Sequence, residues 1–372
     1  MLAPKISDIV GIINKIAPFS RAEEWDNVGL QVGDPTSSAD RIMVALDPGR
    51  DVLEAAIAAG CRCLLTHHPF IFKPLKRISI ADPLGELISL AIKNDLAVIS
   101  LHTNLDVARG GVNDLLAGLL GVSATLPLKT TCVEELVKLS AFVPKGSEER
   151  VLEALFRFSG VIGNYRDCSF QVPGTGTFTP LEGAKPHIGR VGRRELVEES
   201  RIEVLLRRDD VTAAVAALVK AHPYEEPAYD LYPLLNRGEA SGLGRIGTLP
   251  EETSLAEFAA AVKGRLDLRG TRFVGEPGRR VKKVALCGGS GTTLLRDAVR
   301  QGADVLVTGD IKYHEAREAE VLGIALVDAG HFATERPMIR GVAELLRGEL
   351  AHRRFNAEVL AFEGEREPFS YI

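Results

Sequence analysis

No apolar run in the sequence approaches the ~20 residues that a membrane-crossing helix needs, which excludes a helical membrane protein. The opening "MLAPKISDIVGIINKIAPF" lacks both a long apolar core and a small-residue cleavage site, so it reads as an amphipathic helix and not as a secretory leader. Cysteine is sparse and odd in number: Cys61, Cys63, Cys132, Cys168 and Cys287 are scattered over 372 residues. Cys61 and Cys63 stand two apart, a spacing that fits neither a CxxC redox pair nor a zinc knuckle, and reduced thiols in a cytoplasmic protein are expected. Excess positive charge is also missing. With 45 Lys+Arg against 50 Asp+Glu the net charge is −5, so no global field draws the chain to nucleic acid or a membrane surface. No Ser-His-Asp or reactive-Cys arrangement stands out. "CGGSGTT" (287–293) lacks the Lys-Ser/Thr of a Walker loop, and is either an anion-binding turn or a turn needed for packing.

What is present is ordinary globular composition, 45% hydrophobic and 26% charged, in a chain long enough for two or three domains. "RIMVALD" (41–47), "RCLLTHH" (62–68) and "LAVISLH" (96–102) read as short apolar strands, with helices at "DVLEAAIAAG" (51–60) and "PLGELISLAIKND" (83–95) between them. Near-continuous apolar strands alternating with helices predict a mainly parallel sheet covered on both faces. The order returns in "VKKVALCGGSG" (281–291), "DVLVTGD" (304–310) and "IALVDAGH" (324–331). The two halves can be overlaid: "CRCLLTHH" on "ADVLVTGD", and "AVISLHTNLD" on "ALVDAGHFATE". This pattern reads as a diverged internal duplication.

Between the halves the order is βαββαβ, the split-βαβ pattern of ferredoxin-like domains. Ser147 is the expected N-cap of its first helix, "QVPGTGTFTP" (171–180) a mobile loop, and "AHPYEEPAYD" (221–230) the turn into its last strand. Turn formers at "LPLKTT" and "RGEASGLGRIG" place the joins. The expected domains are thus a first α/β lobe (1–127), a βαββαβ insert (128–240) and a second α/β lobe (241–372).

The chemistry sits at strand ends. His67, His68, His102 and His331 each follow a strand of one of the related halves, where open α/β sheets bind ligands. "HTNLD" sets Asp106 four after His102, and "HFATE" sets Glu335 four after His331. In a helical turn, i and i+4 project from one face and can converge on one ion. Imidazole plus carboxylate suits zinc, iron, manganese or cobalt. A His after a strand, a His-His pair or a His-x-x-x-Glu spacing is weak alone; their joint occurrence at matched strand ends is not. Two facing half-sites offer more ligands than one tetrahedral ion uses, so a dinuclear site bridged by a carboxylate is the economical reading.

The blocks "EEWDNVGLQVGD" (23–34), "LLTHHPFIF" (64–72), "HTNLDVARGGVND" (102–114), "TGDIKYHEA" (308–316) and "DAGHFATE" (328–335) resemble, in order, those of the Nif-three-like family of dinuclear-metal-centre hexameric proteins. Members are often named GTP cyclohydrolase type-two homologs. The resemblance implies metal ligands at His67, His68, Asp106, His331 and Glu335, holding two divalent transition-metal ions per chain (zinc, iron or manganese). It also implies a ring-like homohexamer, with the insert similar to small trimeric signalling proteins of the PII and divalent-cation-tolerance type. His102 would orient Asp106 or carry a proton, with His314 a second proton carrier. Asp310 and Lys312 would contact a small-molecule substrate under a loop shaped by Trp25, Asp26 and Asn27. The expected function is metal-dependent hydrolysis, of the cyclohydrolase, phosphoester or amide kind; the alternative is a non-catalytic, metal-dependent regulatory assembly whose insert binds the ligand.

Overall fold

The computed structural model describes residues 2–159 and 162–370. The chain divides into two compact units, one formed by Met1–Cys132 with Ser241–Ile372 and the other by Val133–Ala240.

The first unit is a mixed α/β structure built on two sheets. From edge to edge, its first sheet runs Gly29–Val32, Ala97–Ser100, Cys63–Thr66, Arg41–Ala45 and Glu358–Ala361. Only the Gly29–Val32 edge is antiparallel. All four residues of Cys63–Thr66 and of Ala97–Ser100 are buried, as expected of strands covered on both faces. One face carries the N-terminal helix Ile6–Ile16, whose Ile6, Ile9, Ile12 and Ile13 recur at helical spacing and are all buried. Each such isoleucine contributes about 1.5–3 kcal/mol by leaving water. Beside it lies the helix Pro337–His352 from the other end of the chain, through Met338, Ile339, Val342 and Leu346. The C-terminal strand then completes the sheet next to Arg41–Ala45. The sequence reading assigned this last segment to the second half. The structure pairs it with the first, so the two halves interlock in one unit.

The second sheet of this unit holds the far end of Tyr229–Ser254, then Arg280–Leu286, Val305–Thr308, Ala325–Asp328 and Arg272–Val274. Its three middle strands are parallel and its edges antiparallel. The strand order read from sequence recurs here, with three adjacent parallel strands in each sheet. Cys63–Thr66 corresponds to Val305–Thr308, and Ala97–Ser100 to Ala325–Asp328. Each of the last two strands leads into a one-turn helix, Thr103–Val107 and His331–Glu335.

The second unit follows the order βαββαβ, with helices Glu148–Phe156 and Val211–Ala221. Its strands lie in the order Ser169–Phe178, Glu195–Arg207, Ser123–Pro144, Tyr229–Ser254. Leu139, Val151, Leu155, Ile202, Val204 and Leu218 form its core. Ser147 stands at the N-cap as expected, without a side-chain cap bond, and Glu148 accepts the Gly146 amide at 2.6 Å. Two local expectations are corrected. "QVPGTGTFTP" is not a loop, because residues 171–178 pair continuously with Glu195–Arg207. Nor do "LPLKTT" and "RGEASGLGRIG" turn, since each lies inside one uninterrupted strand, Ser123–Pro144 and Tyr229–Ser254. The glycines there give room: a Cβ on Gly242 would fall 2.0 Å from the Lys129 carbonyl.

Candidate metal centre

His67 and His68 are adjacent and would point to opposite faces of a regular strand. They do not, because the strand ends at Thr66 and both amides turn onto one acceptor, the Leu46 carbonyl, at 3.1 and 3.0 Å. Their rings then lie 5.1 Å apart. From the second sheet, the turn His331–Glu335 puts His331 Nε2 at 3.1 Å from Glu335 Oε2, the i, i+4 arrangement read from "HFATE".

Glu335 is the hub. Its Oε2 also lies 3.1 Å from His68 Nε2, and its Oε1 lies 3.6 Å from His67 Nε2. Asp106 Oδ1 lies 3.8 Å from the same His67 nitrogen. His102 joins from the side, its ring 5.2 Å from that of His67. Two groups have ligand atoms within 4.8 Å of one another and can hold a metal ion: His67 with His68 and His102, and His68 with His331 and Glu335.

The donor set fits a metal for a specific reason. His67 Nε2 and Asp106 Oδ1 are buried and have no hydrogen-bond partner, although both lie beside the Glu335 carboxylate cluster. A buried polar atom without a partner costs about 1–3 kcal/mol, and an ion between them would satisfy both. The outward ring nitrogens are all engaged. His67 Nδ1 faces the Leu101 carbonyl at 2.8 Å, His68 Nδ1 faces Asp47 at 2.7 Å, His331 Nδ1 faces Asp310 at 2.7 Å and His102 Nδ1 faces Asp26 at 2.9 Å. Partners of this kind fix the tautomer and leave Nε2 as the ligand atom of His67, His68 and His331, and as a bare nitrogen on His102.

Without an ion the cluster is strongly coupled. Burial disfavours the charged form of His68, but Asp47 and Glu335 outweigh it and raise the imidazole to about 10. The Glu335 bond, against burial, raises His331 to about 9. Burial would raise Glu335, yet the surrounding histidines hold it well below the carboxylate range, while burial pushes Asp106 up. Because these folded-state imidazole values lie above the ordinary 6.5, protonation stabilises the metal-free fold fully below pH 6.5, and that contribution is lost as pH rises through about 9 to 10. Metal ligation needs bare Nε2 atoms, so it must displace those protons. Zinc titrated into metal-free protein near pH 7 is expected to release protons, and its affinity to rise with pH until about 10. Calorimetry in buffers of differing ionisation heat reads this directly; pH-independent affinity with no proton release would contradict it.

Residues that sequence reasoning passed over complete the cradle. Asp47 follows the strand Arg41–Ala45 and holds His68. Asn113 donates to the Asp106 carbonyl at 2.9 Å and accepts from the Gly288 amide at 2.9 Å, linking the two half-sites. In "CGGSGTT" a packing need is observed: Gly289 has φ +61°, and a Cβ there would lie 2.2 Å from Glu335 Oε1. The remaining candidates lie around this centre. Trp25 is exposed, edge-on to both Phe72 and His102 at 5.9 Å. Asn27 donates to the Ile71 carbonyl at 2.5 Å, tying this loop to the segment after the histidine pair. Asp310 is engaged with His331. Lys312 begins the helix Tyr313–Leu322, lining a cavity of about 220 Å³ with Arg272, Tyr313 and Asp328. His314 is exposed on the first turn of that helix, beside Tyr313, and outside both ligand groups.

Fold and site together define a mixed α/β protein with a His/carboxylate cluster able to hold a metal ion. The Duf34/NIF3 (NGG1p interacting factor 3) family profile matches residues 4–368, and the chain belongs to this family. Relatives from Halalkalibacterium halodurans and Bacillus subtilis, each named GTP cyclohydrolase 1 type 2 homolog, are 44% identical over 365 residues, 98% of this chain and of theirs. A crystal structure of a Bacillus cereus protein related to NIF3 is 42% identical, with a TM-score of 0.92 over 100% of both chains. Among the described residues, no helix is long and apolar enough to cross a membrane.

Proposed function

We propose that this protein is a metal-dependent hydrolase in which His67, His68, Asp106, His331 and Glu335 would hold two divalent ions per chain. The supporting observation is the pair of buried, partnerless atoms on His67 and Asp106, beside a Glu335 carboxylate that His68 and His331 each approach to 3.1 Å. His67 and Asp106 would hold one ion and His68 and His331 the other, with Glu335 common to both. A pair of ions supplies Lewis acidity and a water of lowered pKa.

The chain's own groups do the rest. Asp47 and Asp310 hold His68 and His331 in their ligating orientation. Asp26 is lowered to about 2: burial opposes this, but the His102 and Thr103 hydrogen bonds prevail. An ionised carboxylate on Nδ1 lets His102 take a proton at Nε2 from an attacking water and return it to the leaving group. The exposed faces of Trp25 and Phe72 suit a planar heterocycle. Ring opening of a purine nucleotide, the reaction type in the name of the relatives, is therefore the first substrate class to test.

Metal-loaded protein is expected to hydrolyse GTP or another heterocyclic nucleotide. Asp26→Asn should lower kcat about 100-fold or more while leaving metal content unchanged. Failure of the loaded protein on nucleotides, phosphoesters and amides alike would end the hydrolase reading. We further read Val133–Ala240 as a ferredoxin-like domain, on its element and strand order, and the assembly as a homohexamer, on the family blocks in the sequence. Sedimentation at six times the 40.1 kDa chain mass is expected; a monomer or dimer would refute the hexamer.

A further inference from the structure

The second unit carries an open cavity of about 390 Å³ that metal chemistry does not use. Phe142, Phe178 and Tyr224 give it aromatic walls, and Glu199, Glu225 and Glu226 give it three carboxylates; no lysine or arginine is among its lining residues. Its size falls within the range of small-molecule sites.

The polar groups are built in place. The Tyr224 hydroxyl donates to Glu199 Oε1 at 3.0 Å, and burial, then that bond and its charge, keep the phenol protonated. Gly176 makes room for the carboxylate, since a Cβ there would lie 2.0 Å from Glu199 Oε2. This accounts for a glycine in the middle of a paired strand. Glu225 Oε1 accepts the Lys185 amide at 2.9 Å, which ties the connection after Phe178 to the cavity wall. The Tyr224 ring packs edge-on to Phe178 at 5.9 Å and tilted to His187 at 6.2 Å.

A metal ion is a poor occupant. The neighbouring His222 uses both ring nitrogens: Nε2 donates to the Phe142 carbonyl at 3.0 Å, and Nδ1 accepts the Tyr224 amide at 3.1 Å. Among the described residues, both candidate ligand groups lie at the other site. An anion would meet three carboxylates. A cation with an apolar body matches both features, because aromatic faces attract cations and carboxylates pair with them.

We propose that this cavity binds an organic cation, an ammonium or amidinium group on an apolar body, with its charge toward Glu199, Glu225 and Glu226 and its body against Phe142, Phe178 and Tyr224. The test uses the full-length protein with phenethylamine and benzamidine as probes. Neutral 2-phenylethanol and anionic 3-phenylpropanoate serve as controls, and binding is read by calorimetry and by saturation-transfer NMR. At least one cation is expected to bind saturably with Kd below about 1 mM, and both controls about tenfold or more weaker. Glu199→Gln and, at an exposed position, Glu226→Gln should each weaken the cation by about tenfold, whereas Glu335→Gln should leave it unchanged. Absence of saturable binding by either cation would overturn the proposal. So would equal binding of the neutral control, or folded Glu→Gln variants with undiminished affinity.

Discussion

Glu335→Gln is expected to empty the metal centre. The substitution keeps the shape but removes the charge that His67, His68 and His331 all face. Loss of a partner that merely orients a ligand costs about 10–100-fold in metal affinity; loss of the shared carboxylate should exceed that and abolish turnover with it. The same change releases His68 and His331 from the group that raises them, so both should titrate at lower pH in the metal-free variant. Gly289→Ala should reach a similar end indirectly, since its Cβ would displace Glu335 Oε1, and a residue with φ +61° is strained there in any case. Elemental analysis and histidine NMR of both variants provide the check. Wild-type metal content in Glu335→Gln would show that the carboxylate is not a ligand.

Arg245→Ala is expected to cost about 3–5 kcal/mol of stability, the range for breaking a buried ion pair by removing one partner. Arg245 is only 4% exposed. Its guanidinium donates to Asp114 at 2.5 and 3.1 Å and to the carbonyls of Gly242, Gly244 and Ala108 at 2.8, 2.8 and 3.0 Å. Alanine would leave three carbonyls without this donor and Asp114 with the Gly110 amide alone. Arg245→Lys should recover only part of the loss, because an ammonium cannot reproduce the planar fork. Asp114 lies on the helix Val112–Leu119, whose Asn113 joins Asp106 to Gly288, so the damage should extend to metal affinity. Thermal melts of the metal-free proteins separate the two effects. A drop of roughly 10 °C is expected, and a change below about 1 kcal/mol would contradict the account.

Much of this was legible because apolar runs carry the strands. Leu64, Leu65, Val98 and Ile99 are fully buried, as a strand covered on both faces requires. The matched strand ends then located four histidines, and the one-turn helix at His331 delivered the i, i+4 convergence that its spacing implied. The C-terminal strand was not legible: "EVLA" is four residues long, and its partner Arg41–Ala45 lies some 300 residues away in the chain. Asp47 escaped notice for a similar reason, since its role depends on where the neighbouring strand ends. Glycine misled most. "VPGTG" and "ASGLG" look like turns by composition, yet both are strands in which a side chain would collide with Glu199 or the Lys129 carbonyl. Nothing local in a sequence says whether a glycine supplies a bend or a clearance.

The most direct test of the central claim is the number of ions per chain. Metal-free protein would be titrated with zinc, and its crystals measured by anomalous scattering. The account predicts two ions, one between His67 and Asp106 and one between His68 and His331, with Glu335 on both. A single ion, or none after reconstitution with zinc, iron and manganese, would contradict it.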